Sequence, residues 1–259
     1  MILTRVMTYD QIICGDALNL TKLIPRNTVD LAIINLPYKI SGKPAKHIDF
    51  VKDILKQIAK VTKIGGICCL IITNDIDAKR EAVDMTQTRA FFEAKIDPYL
   101  RRRWVFDDEI IWNKSPRKTR PSSDFWGIEM VSFDEIPFSS IELFVRSDSE
   151  SYEELNIPKR IRSLKISQAK KTEMLNSFWY IQPRSEKGFK DLLPKELIIR
   201  LIMLFSKKDD IILDPFAGHG ITAIAAKTLN RHYFCIEKDS KKVTLINKRL
   251  NVTNKHRNS

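Results

Sequence analysis

Apolar residues in this chain fall into two patterns, short runs and longer stretches with helical spacing. The short runs predict strands, buried on both faces where the run is unbroken; they cover residues 10–14, 31–34, 67–73, 106–112, 141–145, 178–181, 211–213 and 233–236. Helical spacing is clearest over residues 50–61, and Gly65 and Gly66 are predicted to end that helix. Further helices are predicted around residues 18–23, 194–204 and 221–229. Strands that alternate with helices indicate an α/β domain, and 259 residues are enough for a large core.

A ligand site is indicated at residues 211–220, where an apolar run ends in an acid, a proline and a G-x-G pair. The pattern predicts a buried strand, a tight turn and a helix whose first N–H groups point at whatever lies over the turn. Glycine lets a ligand approach the backbone closely. The next apolar run ends in Glu237, an acid placed to bind the hydroxyls of a ribose. A G-x-G pair alone would fit a loop in any α/β domain.

A second motif, Asn35-Leu36-Pro37-Tyr38, follows the apolar run at residues 31–34. Together with D-P-F-x-G-x-G and the later acid, it resembles the motifs of the S-adenosylmethionine-dependent DNA amino-methyltransferases. Leu36 stands where that family usually has the first of two prolines. The N-L-P-Y loop precedes the cofactor motif, with a recognition segment between them, and this order resembles the β class of the family. The resemblance covers nearly the whole chain.

The resemblance implies a doubly wound, mostly parallel, Rossmann-like sheet with S-adenosylmethionine as cofactor. Residues 1–145 would form the catalytic half, 146–176 a small inserted target-recognition segment, and 177–259 the cofactor-binding half. Asp16 matches a family acid near the adenine of the cofactor, although it could instead, or also, cap a helix. The cofactor-binding residues implied by the resemblance are Asp16, Asp214, Phe216, Gly218, Gly220 and Glu237.

The N-L-P-Y loop has the groups needed to methylate an exocyclic amine. The Asn35 side-chain oxygen and the Leu36 carbonyl would accept the two amine hydrogens, Pro37 would stiffen the loop, and Tyr38 would stack on a base flipped out of the duplex. A carbon-5 cytosine methylase would instead need a cysteine nucleophile, and no cysteine here follows a proline. Residues 188–197 look more like cytosine-N4 than adenine-N6 members, so cytosine N4 is slightly favoured.

The net charge of +12 suits a polyanionic partner, here double-stranded DNA. A lysine-rich host proteome could produce some of this charge without any DNA. Residues 39–46 are predicted to be a loop beside DNA, residues 113–126 a basic loop, and residues 146–176 either the recognition segment or a solvated helical insert. The predicted DNA-binding residues are Lys43, Lys114, Arg117, Lys118, Arg120, Arg160 and Arg162.

Cysteine usage and hydropathy predict a cytoplasmic protein that has no membrane partner. Cys14, Cys68, Cys69 and Cys235 lie in strand-like runs without C-x-x-C spacing, so buried reduced thiols are expected and a metal site is not. No apolar run reaches the roughly 18 residues that span a bilayer, and residues 1–9 lack a signal-peptide pattern.

The leading hypothesis is a site-specific DNA methyltransferase of a restriction-modification system. Its further partner would be a cognate restriction endonuclease or a second methyltransferase subunit. One alternative is a catalytically weak or inactive DNA-binding subunit that keeps the fold, because Leu36 removes the rigidity of a second proline. Another is a methyltransferase that acts on RNA or on protein, against which the β-class order and residues 146–176 argue.

Overall fold

A computed structural model of the chain describes residues 8–36, 44–74, 103–114, 138–147, 164–186 and 189–255. Its centre is an eight-stranded sheet in the order β1-β10-β9-β2-β3-β5-β4-β6. The strands of this sheet are β1 (Gln11–Cys14), β2 (Val29–Asn35), β3 (Thr62–Asn74), β4 (Trp104–Asn113), β5 (Phe138–Arg146), β6 (Phe178–Tyr180), β9 (Ile211–Asp214) and β10 (His232–Glu237). A separate two-stranded hairpin contains β7 (Arg184–Glu186) and β8 (Phe189–Leu192).

Helices cover both faces of the sheet, which makes the fold doubly wound. They are α1 (Ala17–Leu20, continued by a 3-10 turn at Thr21–Leu23), α2 (Pro44–Val61), α3 (Gln168–Leu175), α4 (Lys195–Phe205), α5 (Ile221–Thr228) and α6 (Ser240–Lys255). One hydrophobic cluster joins the sheet to α3, α4, α5 and α6, and a second joins it to α1 and α2. The predicted α/β class is therefore confirmed.

Most neighbouring strands of the sheet are parallel, as the sequence predicted. The pairs β1–β10, β10–β9, β9–β2, β2–β3 and β4–β6 are parallel, whereas β5 runs antiparallel to both β3 and β4. Because the carboxyl ends of parallel strands meet at one edge of a sheet, β1, β10, β9 and β2 all end on the same side. That edge carries Asn35, Asp214 and Glu237.

Three local predictions were wrong. The pair Gly65–Gly66 does not end a helix: α2 stops at Val61, and both glycines lie in the first part of β3, where its register with β2 shifts. The polar stretch predicted as a loop up to residue 46 already turns into helix α2 at Pro44. Cys14 is exposed, because β1 is an edge strand, whereas the other three cysteines are buried as predicted.

The last part of the predicted recognition segment packs onto the core of the α/β domain. Met174 of α3 is buried in the first cluster, and Glu173 contacts Arg200 of α4. Arg200 is itself buried, also contacts Glu196 at 2.6 Å, and lies 5.4 Å from the centre of the Trp179 ring. An ion-pair cluster thus connects α3 to the helix that follows the β7–β8 hairpin.

In the described part of the chain, no helix is both long enough and apolar enough to cross a lipid bilayer.

Candidate active site

The turn after β9 is organised by the buried carboxylate of Asp214. One of its oxygens accepts a hydrogen bond from the Phe216 N–H at 2.9 Å, and the other accepts from the Thr222 hydroxyl at 2.5 Å. The first bond closes the turn, and the second fixes the start of α5 against the end of β9. The acid therefore holds together the strand, the turn and the helix that the sequence predicted here.

Burial raises the pKa of Asp214 to about 6, against the lowering effect of its bonds from Thr222 and Phe216, and nearby Glu237 raises it further. The folded protein therefore holds this proton up to about pH 6, whereas the unfolded chain releases it near pH 3.8. The native state binds more protons than the unfolded state in this window, so this group's contribution to stability falls as the pH rises from about 4 to 6. At neutral pH Asp214 is therefore ionised, and this ionisation lowers the free energy of unfolding.

We expect Asp214→Asn to remove this pH dependence while keeping both hydrogen bonds. Its amide oxygen can accept from Phe216 and its amide NH2 can donate to Thr222. Relative to the variant, the parent should lose about 2–3 kcal/mol of unfolding free energy between pH 4 and pH 8. Urea unfolding of both proteins across that range measures the difference. If the difference in unfolding free energy between parent and variant stayed constant with pH, the pKa of Asp214 would not be raised in the folded protein.

Both glycines of the G-x-G turn have left-handed backbones, with φ of 54° at Gly218 and 77° at Gly220. A Cβ at Gly218 would meet only open space and the distant Phe216 carbonyl, 3.8 Å away. A Cβ at Gly220 would collide with the side chain of Ile246, which is buried under the turn. Gly218 thus faces the cavity, and Gly220 faces the core.

Glu237, at the end of β10, is bound to the same turn. One carboxylate oxygen accepts from the Gly218 N–H at 2.8 Å, and the other accepts from the Asp239 N–H at 2.9 Å. Each oxygen keeps a second lone pair that is available to a ligand hydroxyl. The side chain therefore both orders the turn and presents acceptors beside it.

Asp16 follows β1, whose last residue, Cys14, lies opposite Glu237 in the sheet. Its carboxylate accepts from the N–H groups of Leu18 and Asn19 at 3.0 and 3.3 Å, so it caps α1. The predicted capping role is confirmed, and the strand register places the same acid at the edge that carries Glu237.

Asn35 lines one cavity together with Asp214, Phe216 and Gly218. It ends β2, which pairs with β9 through Ala32 and Leu213, so the amide and the cofactor motif lie on adjacent strand ends. Leu36 packs against the second hydrophobic cluster. Pro37 and Tyr38 lie outside the described residues.

Six residues that line this cavity were not among the predicted site residues: Leu192, Leu193, Ala217, His219, Ile221 and Thr222. The leucines connect β8 to α4, and their signal was the L-L-P string at the start of that helix. Thr222 could have been found as the polar residue in the first turn of α5, facing the acid before the glycines.

Lys114 is buried, and its ammonium lies 5.0 Å from the centre of the Trp112 ring. This burial argues against a phosphate contact by Lys114, because a DNA contact requires an exposed ammonium. The other predicted DNA-binding residues, Lys43, Arg117, Lys118, Arg120, Arg160 and Arg162, lie outside the described residues.

A Rossmann-like methyltransferase is expected to have a doubly wound sheet with an acid–glycine turn, an acid at the end of the next strand and an amide at the switch point, and all of these are present here. The family model described as DNA methylase matches residues 29–248. The chain belongs to this family of N4/N6 DNA amino-methyltransferases, whose cofactor is S-adenosylmethionine.

Type II methyltransferases are similar in sequence to this chain along most of its length. It is 24% identical over 252 residues to the type II methyltransferase M.HinfI of Haemophilus influenzae, with 92% of this chain and 67% of that protein covered. It is 21% identical to M.BglII of Bacillus subtilis, with 89% of this chain and 66% of that protein covered. The chain thus spans about two thirds of the length of these relatives.

Solved structures share the fold. A candidate DNA modification methylase of Thermus thermophilus, complexed with S-adenosyl-L-methionine, matches with a TM-score of 0.66 and 18% identity over 92% of this chain and 93% of its own. The cytosine-N4-specific PvuII DNA methyltransferase matches with a TM-score of 0.64 and 15% identity over 93% of this chain and 86% of its own.

Proposed function

We propose that this protein transfers a methyl group from S-adenosylmethionine to the exocyclic amine of a base flipped out of double-stranded DNA. The observation that carries the proposal is the single cavity shared by Asn35 and Asp214. An amide acceptor and a cofactor turn on adjacent strand ends are what methyl transfer between two bound molecules requires. We propose cytosine N4 ahead of adenine N6, on the sequence pattern of residues 188–197.

The proposed cofactor position lies over Gly218, between Asp16, Asp214 and Glu237. The glycine leaves open space on the side where a backbone approach is needed. Phe216 is half-buried, with its ring 6.0 Å from the ring of Phe50, so an apolar surface borders the same cavity. We propose that Glu237 accepts the ribose hydroxyls with the lone pairs that Gly218 and Asp239 do not use.

Replacing Glu237 with alanine is expected to weaken S-adenosylmethionine binding by about 1–3 kcal/mol, through the loss of charge-assisted hydrogen bonds. Glu237→Gln retains the shape and one acceptor oxygen, so it should fall between the parent and the alanine variant. Isothermal titration calorimetry gives the affinities, and circular dichroism melting checks that the variants fold. Unchanged affinity in a folded alanine variant would refute the ribose assignment.

Methyl transfer to an exocyclic amine needs the lone pair of the nitrogen to be localised and aligned with the methyl group. We propose that the Asn35 oxygen and the Leu36 carbonyl accept the two amine hydrogens, with Pro37 and Tyr38 completing the loop and the stacking surface. A neutral amide polarises the amine by hydrogen bonding and does not need to take a proton in the same step.

The proposed DNA surface consists of Lys43, Arg117, Lys118, Arg120, Arg160 and Arg162, with residues 146–176 as the recognition segment. Replacing Arg117, Lys118 and Arg120 with glutamine should reduce the salt slope of duplex binding by about 0.9 for each lost phosphate contact. Replacing the exposed Lys207, Lys208 and Lys248 removes the same charge elsewhere and serves as the control. Fluorescence anisotropy at several salt concentrations measures the slope. Equal slopes for the two variants would exclude phosphate contacts by Arg117, Lys118 and Arg120.

We place the protein in a restriction-modification system, with a restriction endonuclease or a second methyltransferase subunit as its further partner and the cytoplasm as its compartment. Leu36, in place of the family's proline, favours one alternative, a DNA-binding subunit with weak or no activity.

One experiment separates these functions. Purified protein is incubated with tritiated S-adenosylmethionine and mixed-sequence duplex DNA, RNA or protein, and the labelled nucleoside is identified by mass spectrometry. We expect N4-methylcytosine or N6-methyladenine from DNA. Label in 5-methylcytosine alone would refute the amine mechanism, and bound cofactor without any transfer would support the inactive subunit.

A further inference from the structure

We propose that a second, cationic pocket, near the beginning of β2 and away from the Asn35 cavity at its end, binds a phosphate group. The pocket has a volume of about 240 Å³ and lies between the turn that follows α1 and the last turn of α2. Its polar lining consists of Lys22, Arg26, Lys60 and Gln57, and Ile24 and Val61 form its floor. This site is independent of the methyltransferase cavity.

Three cations share this pocket without a carboxylate. Within the described residues, no acidic side chain lies at ion-pair distance from Lys22, Arg26 or Lys60, whereas the nearby Lys63 is paired with Asp30 at 2.6 Å. The Lys60 ammonium donates to the Gln57 amide oxygen at 3.3 Å, which leaves the Gln57 NH2 group as a further donor. Like charges gathered in this way repel each other, and an anion would relieve that repulsion.

The C-terminus of α2 does not account for these cations. Cations often lie at helix C-termini because the last carbonyls are unpaired and the helix dipole is negative there. Here each of the last four carbonyls already has a donor. Ile58 and Ala59 accept from Thr62 Oγ1 and Arg146 Nε at 2.8 and 2.9 Å. The carbonyls of Lys60 and Val61 accept from the backbone N–H groups of Asn27 and Thr28.

The donor set has the chemistry that binds a phosphate group. A guanidinium can bind two phosphate oxygens at once, and ammonium groups add point charges from other directions. Ile24 and Val61 are almost fully buried, so the floor of the pocket is a fixed part of the core.

The pocket lies too far from the active site to hold a phosphate next to the flipped base. It is at the beginning of β2, whereas Asn35 ends that strand, about 20 Å away along seven residues. The phosphate would come either from a free phosphorylated molecule or from a DNA segment other than the one being methylated.

The test compares three full-length proteins, the parent, Lys22→Gln/Arg26→Gln and the charge-matched control Lys208→Gln/Lys248→Gln. Each is melted in inorganic phosphate and in sodium chloride of equal ionic strength. We expect a saturable rise in Tm of about 3–5 °C at ten times the Kd for the parent and the control. The pocket variant should show no such rise.

Three results would overturn the proposal. The first is an equal phosphate-dependent rise in all three proteins, and the second is no rise in any of them. The third is a pocket variant that is less stable than the control in chloride alone, because the cations would then serve the packing of the fold.

A second arm identifies the source of the phosphate. Salt slopes of duplex binding are measured for the pocket variant and the control. A slope lower by about 0.9 for each lost contact assigns the pocket to DNA. Equal slopes, together with the phosphate-dependent Tm, assign it to a free phosphorylated molecule.

Discussion

Replacing Asn35 with alanine is expected to lower the rate of methyl transfer at least about 100-fold, the scale seen when one preorganised hydrogen-bonding group is removed from an active site. The amide lies at the end of β2 and lines the cavity beside Asp214. Its removal leaves the target amine without a side-chain acceptor, so the nitrogen lone pair is no longer held towards the methyl group. Single-turnover assays with labelled cofactor measure the rate.

The same variant should keep its affinity for S-adenosylmethionine, because the proposed cofactor contacts come from Asp16, Asp214, Phe216, Gly218 and Glu237. Leu36→Pro is the companion variant, since it restores the usual family loop and should maintain or raise turnover. An Asn35→Ala protein that folds, binds cofactor and methylates at the parent rate would exclude Asn35 as the acceptor.

Gly220→Ala is expected to reduce the free energy of unfolding by about 2–5 kcal/mol, the largest stability effect that we predict in the site. A left-handed backbone costs a residue with a Cβ about 1–2 kcal/mol, and overpacking a core adds about 1–3 kcal/mol. The close contacts involve Ile246 Cβ, at 3.1 Å, as well as its γ-carbons, so rotation of that side chain relieves them only in part. Urea unfolding measures the loss.

Gly218→Ala is the matched control for Gly220→Ala. It has the same left-handed strain but open space around the new methyl group. Its stability should fall by only about 1–2 kcal/mol. Its methyl group would enter the proposed cofactor space, so the free energy of S-adenosylmethionine binding should fall by more than the free energy of unfolding. Equal stability losses in the two variants would contradict the different surroundings that the structure gives these glycines.

Patterns between residues close together in the chain predicted much of the fold correctly. The strand, turn and helix at residues 211–229 could be read directly, because an apolar run, two glycines and a helical period follow each other without interruption. The buried Asp214–Thr222 bond joins residues of this same unit. The amphipathic pattern of α2 and the cap at Asp16 were equally local.

Local patterns failed where a distant element decided the environment. Lys114 directly follows β4 and begins a basic stretch, yet it is buried beside Trp112, an outcome that depends on how β4 packs against its neighbours. Gly66 looked like a helix terminus, but a Cβ there would come within 2.9 Å of the Lys63 carbonyl, at the irregular start of β3. Cys14 is exposed because β1 is at the edge of the sheet.

The sequence by itself determined the family motifs, the alternation of strands and helices, and the acid and glycines of the turn, because each depends on neighbours along the chain. Only the tertiary structure decided which residues meet. Pairing of β2 with β9 brings Asn35 to Asp214, the packing of α6 under the turn makes Gly220 necessary, and the end of α2 gathers Lys60 with Lys22 and Arg26. These juxtapositions follow from sheet order and helix packing, which join segments far apart in the chain and leave no periodic signal within any one of them.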